Sequence, residues 1–163
     1  MLKLTKKADY GLIALKHLAV KKTSASAKEI ADAYQLPLPL LSKVLQKLAK
    51  NGFLFSEHGT NGGYRLARAP RSITTLEVIR SIDGPIFLTV CFTEHGECNQ
   101  SERCIVREPL RKVHDGIQNL LSSITIADMA QDEEEAAGVG GCSTGVQAPL
   151  YAVGASFPVL PSL

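Results

Sequence analysis

Leu36-Pro37-Leu38-Pro39 constrains the fold of this chain more than any other four residues. Each proline lacks an amide donor and disfavours helix in the residue before it, so no single helix can run through the segment. Upstream, Ser26-Ala27-Lys28-Glu29 has the form of a capping box and predicts a short helix from Ala27 to Tyr34. Downstream, Leu41, Val44, Leu45 and Leu48 recur at i, i+3, i+4, i+7 and predict a new helix that ends at Asn51-Gly52. Its other face carries Ser42, Lys43, Gln46, Lys47 and Lys50. Two short helices joined by a tight break, the second with an outward row of Ser, Lys and Gln, form the layout of a helix-turn-helix reader. The competing explanation is a small helical bundle with a solvated lysine face.

The next segment favours the reader. Phe53-Leu54-Phe55-Ser56 and Tyr64-Arg65-Leu66-Ala67 read as two strands around Glu57-His58-Gly59-Thr60-Asn61-Gly62-Gly63. A glycine-tipped hairpin directly after a recognition helix is a wing, able to approach a phosphate or the minor groove. A further helix over residues 7–20 precedes the pair, with Ala8, Leu12, Leu15, Leu18 and Ala19 at helical spacing and Ile13 widening the stripe. Charge agrees with this reading. The net +2 of the 163 residues divides into +9 for residues 1–71, −3 for 72–130 and −4 for 131–163, and a concentrated positive field suits a polyanion such as double-stranded promoter DNA. No window approaches 18 consecutive apolar residues and the start of the chain is too polar for a secretory signal, so a cytoplasmic location without a membrane partner is expected.

Three parts follow from this organisation: a winged helix-turn-helix domain over 1–71, a sensor and dimerisation region over 72–130, and a tail over 131–163. The expected fold is mainly α, with a two-stranded wing and a long C-terminal dimerisation helix. Thr74-Thr75-Leu76-Glu77 is a second capping box and starts a helix that stops at Asp83-Gly84-Pro85. Beyond the cysteine loop, Val106, Leu110, Val113, Ile117, Leu120 and Ile124 are spaced 4-3-4-3-4, a coiled-coil seam on a helix starting near Pro109. An intramolecular packing face is the alternative. The tail opens on Asp132-Glu133-Glu134-Glu135, lacks any helix or strand period, and reads as a flexible appendage.

Cys91, Cys98 and Cys104 supply three soft ligands on a loop far too polar for a core, whereas Cys142 stands apart in the tail. Thiolates suit zinc and iron–sulfur clusters alike, and spacing does not choose between them. Four ligands are normally required, and His95, Glu97 and His114 are the nearby candidates. A thiol enzyme is disfavoured, because the chain has no Cys-x-x-Cys motif, nucleophile elbow or phosphate loop.

Leu4-Thr5-Lys6-Lys7-Ala8-Asp9-Tyr10, the helix pair through Leu45-Gln46-Lys47-Leu48-Ala49-Lys50-Asn51-Gly52, the wing Gly62-Gly63-Tyr64-Arg65-Leu66-Ala67-Arg68 and the three cysteines together resemble the Rrf2 family of winged-helix transcription regulators over residues 1–130. Thr5 to Tyr10, Asp83-Gly84-Pro85-Ile86 and Ile126-Ala127-Asp128-Met129-Ala130 look most like the branch that regulates SUF iron–sulfur cluster assembly. The resemblance implies a homodimer that binds a palindromic promoter site and carries an iron–sulfur cluster on Cys91, Cys98 and Cys104, 2Fe–2S ahead of 4Fe–4S. Some relatives place a histidine ligand three residues after the third cysteine, where this chain has Arg107. Nitric-oxide-sensing relatives use an aspartate in the partner's first helix, matched here by Asp9, which therefore stands ahead of Glu97, His95 and Glu108 as fourth ligand.

The expected activity is control of iron–sulfur assembly genes by cluster status, with no enzymatic step. The alternatives are a nitric-oxide- or redox-responsive repressor of the same family and a zinc-stabilised DNA-binding repressor. Ser42, Lys43 and Gln46 are expected to read bases, Lys47, Lys50 and Arg65 to hold phosphates, and His58 with Gly62 and Gly63 to meet the minor groove.

Overall fold

The computed structural model describes residues 4–57, 62–93 and 103–131. His58 at the wing tip, His95, Glu97 and Cys98 in the loop, and the tail with Cys142 lie outside the described residues.

Helices α1 (Lys6–Lys21), α2 (Ala27–Tyr34) and α3 (Leu38–Lys50) lead into strands β1 (Leu54–Glu57) and β2 (Gly63–Leu66), then α4 (Thr75–Asp83) and α5 (Arg107–Ser123). The caps explain the boundaries. Thr5 and Ser26 each accept the amide three residues on with a side-chain oxygen, while at α4 both halves of the capping box form between Thr74 and Glu77. The box expected at Ser26 forms only its serine half, because the Glu29 carboxylate turns to Lys21 instead. The break expected at the prolines lies between Tyr34 and Leu38, earlier in the segment than Pro39. Leu38 already belongs to α3 and Pro39 occupies its first turn, where no amide donor is needed.

The strands pair antiparallel with Leu54 opposite Leu66 and Ser56 opposite Tyr64. Ala25, in the α1–α2 connection, bonds Tyr64 in both directions at 3.0 and 2.8 Å, so the wing is stitched to the helix pair. Gly63 sits where a Cβ would lie 2.6 Å from the Ala25 carbonyl oxygen. This glycine is thereby required by backbone packing inside the fold, whatever else the wing does.

Leu15, Leu18, Ile30, Leu41, Leu45, Leu48, Ile73, Val78 and Ile126 are fully buried in one core that α1 to α4 share with the C-terminal segment. That segment returns from α5 to the start of α4: Ile124 accepts from both the amide and the hydroxyl of Thr75, and the amide of Ile126 reaches Ile73. Ile124, expected as the last residue of the seam, stands just past the helix end, and Val106 caps its start. None of the residues of α5 itself is buried.

Candidate nucleic-acid interface and metal centre

The apolar stripe of α3 faces the core, so Lys43, Gln46 and Lys50 are exposed on the opposite side and Ser42 is half-buried beside them. Leu38 and Pro39 are also exposed at the start of the helix. Lys47 is exposed like Lys43 and Lys50, but its ammonium also donates to the Ile82 carbonyl at the end of α4, at 2.8 Å. Nothing in the spacing of the lysines separates Lys47 from Lys43 and Lys50. Its α4 acceptor is 35 residues away and becomes visible only in three dimensions.

On the wing, Arg65 lies 4.6 Å from the Phe55 ring centroid and pairs with Glu57 at 2.5 Å. The pair is exposed. Such an exposed pair is worth little, so a phosphate can displace the carboxylate at small cost. Arg68, just beyond β2, pairs with Glu77 at 3.4 Å and lies over Phe53, tying the wing base to α4.

The cysteine loop leaves α4 at Asp83 and rejoins regular structure at Arg107. Cys91 lies in a single 3-10 turn, Val90–Phe92, with its sulfur 2.9 Å from the Thr89 hydroxyl. Cys104 lies three residues ahead of α5. Both are half-buried free thiols at opposite ends of the loop. No cluster of three ligating side chains occurs among the described residues, which do not include Cys98. Asp9 is exposed in the first turn of α1. His114, a candidate fourth ligand, stacks between Phe87 and Phe92, and the amide nitrogen of Gln118 lies 2.8 Å from its Nε2. Arg80 holds the other end of that amide at 2.7 Å, so Gln118 directs its nitrogen at the ring and occupies the Nε2 lone pair. The ring proton of a neutral His114 is then on Nδ1, so neither nitrogen offers a free lone pair to a metal in this arrangement. Glu108 pairs with Arg111, whose guanidinium holds its carboxyl below the usual range.

Above the loop the seam residues Val106, Val113 and Leu120 are exposed, Leu120 at 58%. A cleft of about 510 Å³ adjoins them, lined by Leu4, Ile79, Ile86, Phe87, Ile117 and Leu121 among others. No helix among the described residues is long and apolar enough to cross a membrane.

Residues 4–132 match the family model Rrf2, an iron-dependent transcriptional regulator. The chain belongs to the Rrf2 family. The HTH-type transcriptional regulator NsrR of Bacillus licheniformis is 34% identical over 136 residues, spanning 82% of this chain and 95% of the relative. Among solved structures, CymR, the global cysteine regulator of B. subtilis, superposes with a TM-score of 0.71 at 31% identity, over 81% of this chain and 98% of CymR. T. potens IscR does so at 0.67 and 34% identity, over 86% and 94%. The fold is accordingly the family's winged helix, and this Rrf2 protein is a DNA-binding transcription regulator rather than an enzyme.

Proposed function

We propose that this Rrf2 protein is a homodimer that holds an iron–sulfur cluster on Cys91, Cys98 and Cys104, with Asp9 of the second copy as fourth ligand, and that cluster status controls SUF-type iron–sulfur assembly genes. The observation that carries this reading is the pair of half-buried free thiols at the two ends of the loop between α4 and α5. Soft, unpaired donors in that setting fit a thiolate-held group, and the family model is described as iron-dependent. A bound cluster supplies thiolate cross-links between the two ends of the loop. The protein's own parts do the rest: Cys91 and Cys104 fix how α4 leaves the DNA-binding unit and how α5 enters the dimer. The spacing between the two recognition helices follows from that fix.

The seam of α5 is the dimer surface in this reading. Val113 and Leu120 are half in water in one chain, and each contributes roughly 1.5–3 kcal/mol when a partner covers it fully. On DNA, Ser42, Lys43 and Gln46 read bases, Lys50 and Arg65 hold phosphates, and His58 and Gly62 lie at the minor groove.

Operator affinity of anaerobically prepared, cluster-loaded protein against the cluster-free form tests the reading. A difference of about 5- to 150-fold is expected, the usual range of ligand coupling. Equal affinities would overturn it. A zinc-stabilised repressor of the same fold is the second reading, favoured by the same donors, and would bind the operator equally well before and after exposure to oxidants that destroy clusters.

A further inference from the structure

The last turn of α4 is gripped from two sides. Lys47 of α3 donates to the Ile82 carbonyl at 2.8 Å, and the side-chain amide of Asn51, just past the same helix, donates to the Ser81 carbonyl at 3.2 Å. From the other side the Thr5 hydroxyl, which also caps α1, donates to the Asp83 carboxylate at 2.7 Å. Gly11 of α1 allows this approach, since a Cβ there would meet the Ile82 side chain at 2.4 Å. The carbonyls at a helix C-terminus have no partners within the helix and carry its negative end, so an ammonium and an amide are suited to hold them. The very next residue, Gly84 at φ +89°, begins the segment that leads to Cys91.

We infer that Lys47 and Asn51 are coupling residues, linking the exit of α4 toward the cysteine loop to the C-terminal end of the recognition helix, and that Lys47 is not a phosphate contact. The inference rests on the proposed cluster-dependent reading for its regulatory meaning. Any displacement of the α4 terminus must either break these two bonds or carry the end of α3 with it. The recognition helix has its apolar stripe against the core, so a small rotation about that stripe re-aims Lys43 and Gln46 together.

Lys47→Met, Asn51→Ala and, for comparison, Lys50→Met separate the roles. Operator affinity is measured across a salt series, with and without the cluster, and amide exchange is followed in residues 81–84. A phosphate lysine flattens the salt dependence by about one unit when removed. The expected result is that Lys50→Met does so and preserves the ratio between cluster-loaded and cluster-free affinities. Lys47→Met and Asn51→Ala should keep the salt slope, bring that ratio toward one, and speed exchange at the end of α4. A Lys47→Met protein that loses salt slope like Lys50→Met while keeping both the ratio and the exchange pattern overturns the inference. A wild-type ratio of one removes the proposed function instead, and the salt slope and the exchange then decide whether Lys47 holds α4 or faces DNA.

Discussion

Helices α3 and α5 have similar apolar patterns and opposite surroundings. Leu41, Val44, Leu45 and Leu48 of α3 are all at most 3% exposed, whereas Val113 and Leu120 of α5 are 51% and 58% exposed. In both, the spacing identifies an apolar face with equal clarity. What it cannot supply is the partner. α3 finds α1, α2 and α4 within its own chain, while α5 touches α4 on one side, which half-buries Leu110 and Ile117 and leaves Val106, Val113 and Leu120 exposed. The contrast separates a stripe that builds the fold from one that, in the proposed function, pairs two copies of the chain.

That difference can be broken experimentally. Leu45→Ala should cost about 2–5 kcal/mol of unfolding free energy, because the cavity lies in the middle of the core. Denaturant titration checks this, and a loss below 1 kcal/mol would place the stripe of α3 at a loose surface. Leu120→Asp should leave the thermal unfolding of the single chain nearly unchanged yet separate the dimer, halving the mass seen by light scattering. A monomeric wild type would refute the seam as a dimer surface. On the reader face, Lys43→Ala should cost about 1–3 kcal/mol at one operator position if Lys43 reads a base, measured with a panel of single-base operator variants. A uniform loss across the panel would move it to the phosphate class.

Smaller effects come from the helix ends. Asp128 accepts from the Thr125 amide and hydroxyl at 2.8 and 2.7 Å, and the backbone bond first of all holds its carboxyl below the usual value. Its folded pKa is therefore the lower one, so its contribution is present above the unfolded value of about 3.9 and is lost as pH falls through the folded one. Asp128→Asn should flatten stability against pH in that acid window, read by urea titrations from pH 5 downward. Gln35 ends α2 at φ +52°, a left-handed conformation costly for any residue with a Cβ. Gln35→Gly should accordingly raise stability by about 0.5–1 kcal/mol, and a fall in melting temperature would contradict the strain assigned there.

Much of the fold was legible because its signals are local. The spacing predicts α2 over the same residues that the structure assigns to it, and the Thr74–Glu77 box forms as its sequence suggests. The sequence is less legible where a local signal has two physical uses. Proline can stop a helix or open one, and Pro39 opens α3. Lysine on an outward face can meet DNA or cap a distant helix, and Lys47 has a helix-end carbonyl within reach. Glycine in a wing can admit a ligand or a neighbouring backbone, and at Gly63 the neighbouring backbone is Ala25. Ile124 continues the seam in sequence, but its carbonyl is drawn to Thr75 and the helix ends before it. The candidate site is less legible than the fold, since its proposed ligands come from a loop and from α1, and no sequence period relates them.

The central claim is that the loop thiols hold an iron–sulfur cluster. Anaerobic purification, followed by absorption spectroscopy with iron, sulfide and zinc analysis of wild type, Cys91→Ser and Asp9→Ala, tests it most directly. The expected result is a coloured wild type containing iron and sulfide, loss of both in Cys91→Ser, and a weakened or altered spectrum in Asp9→Ala. A colourless protein with one zinc per chain would contradict it.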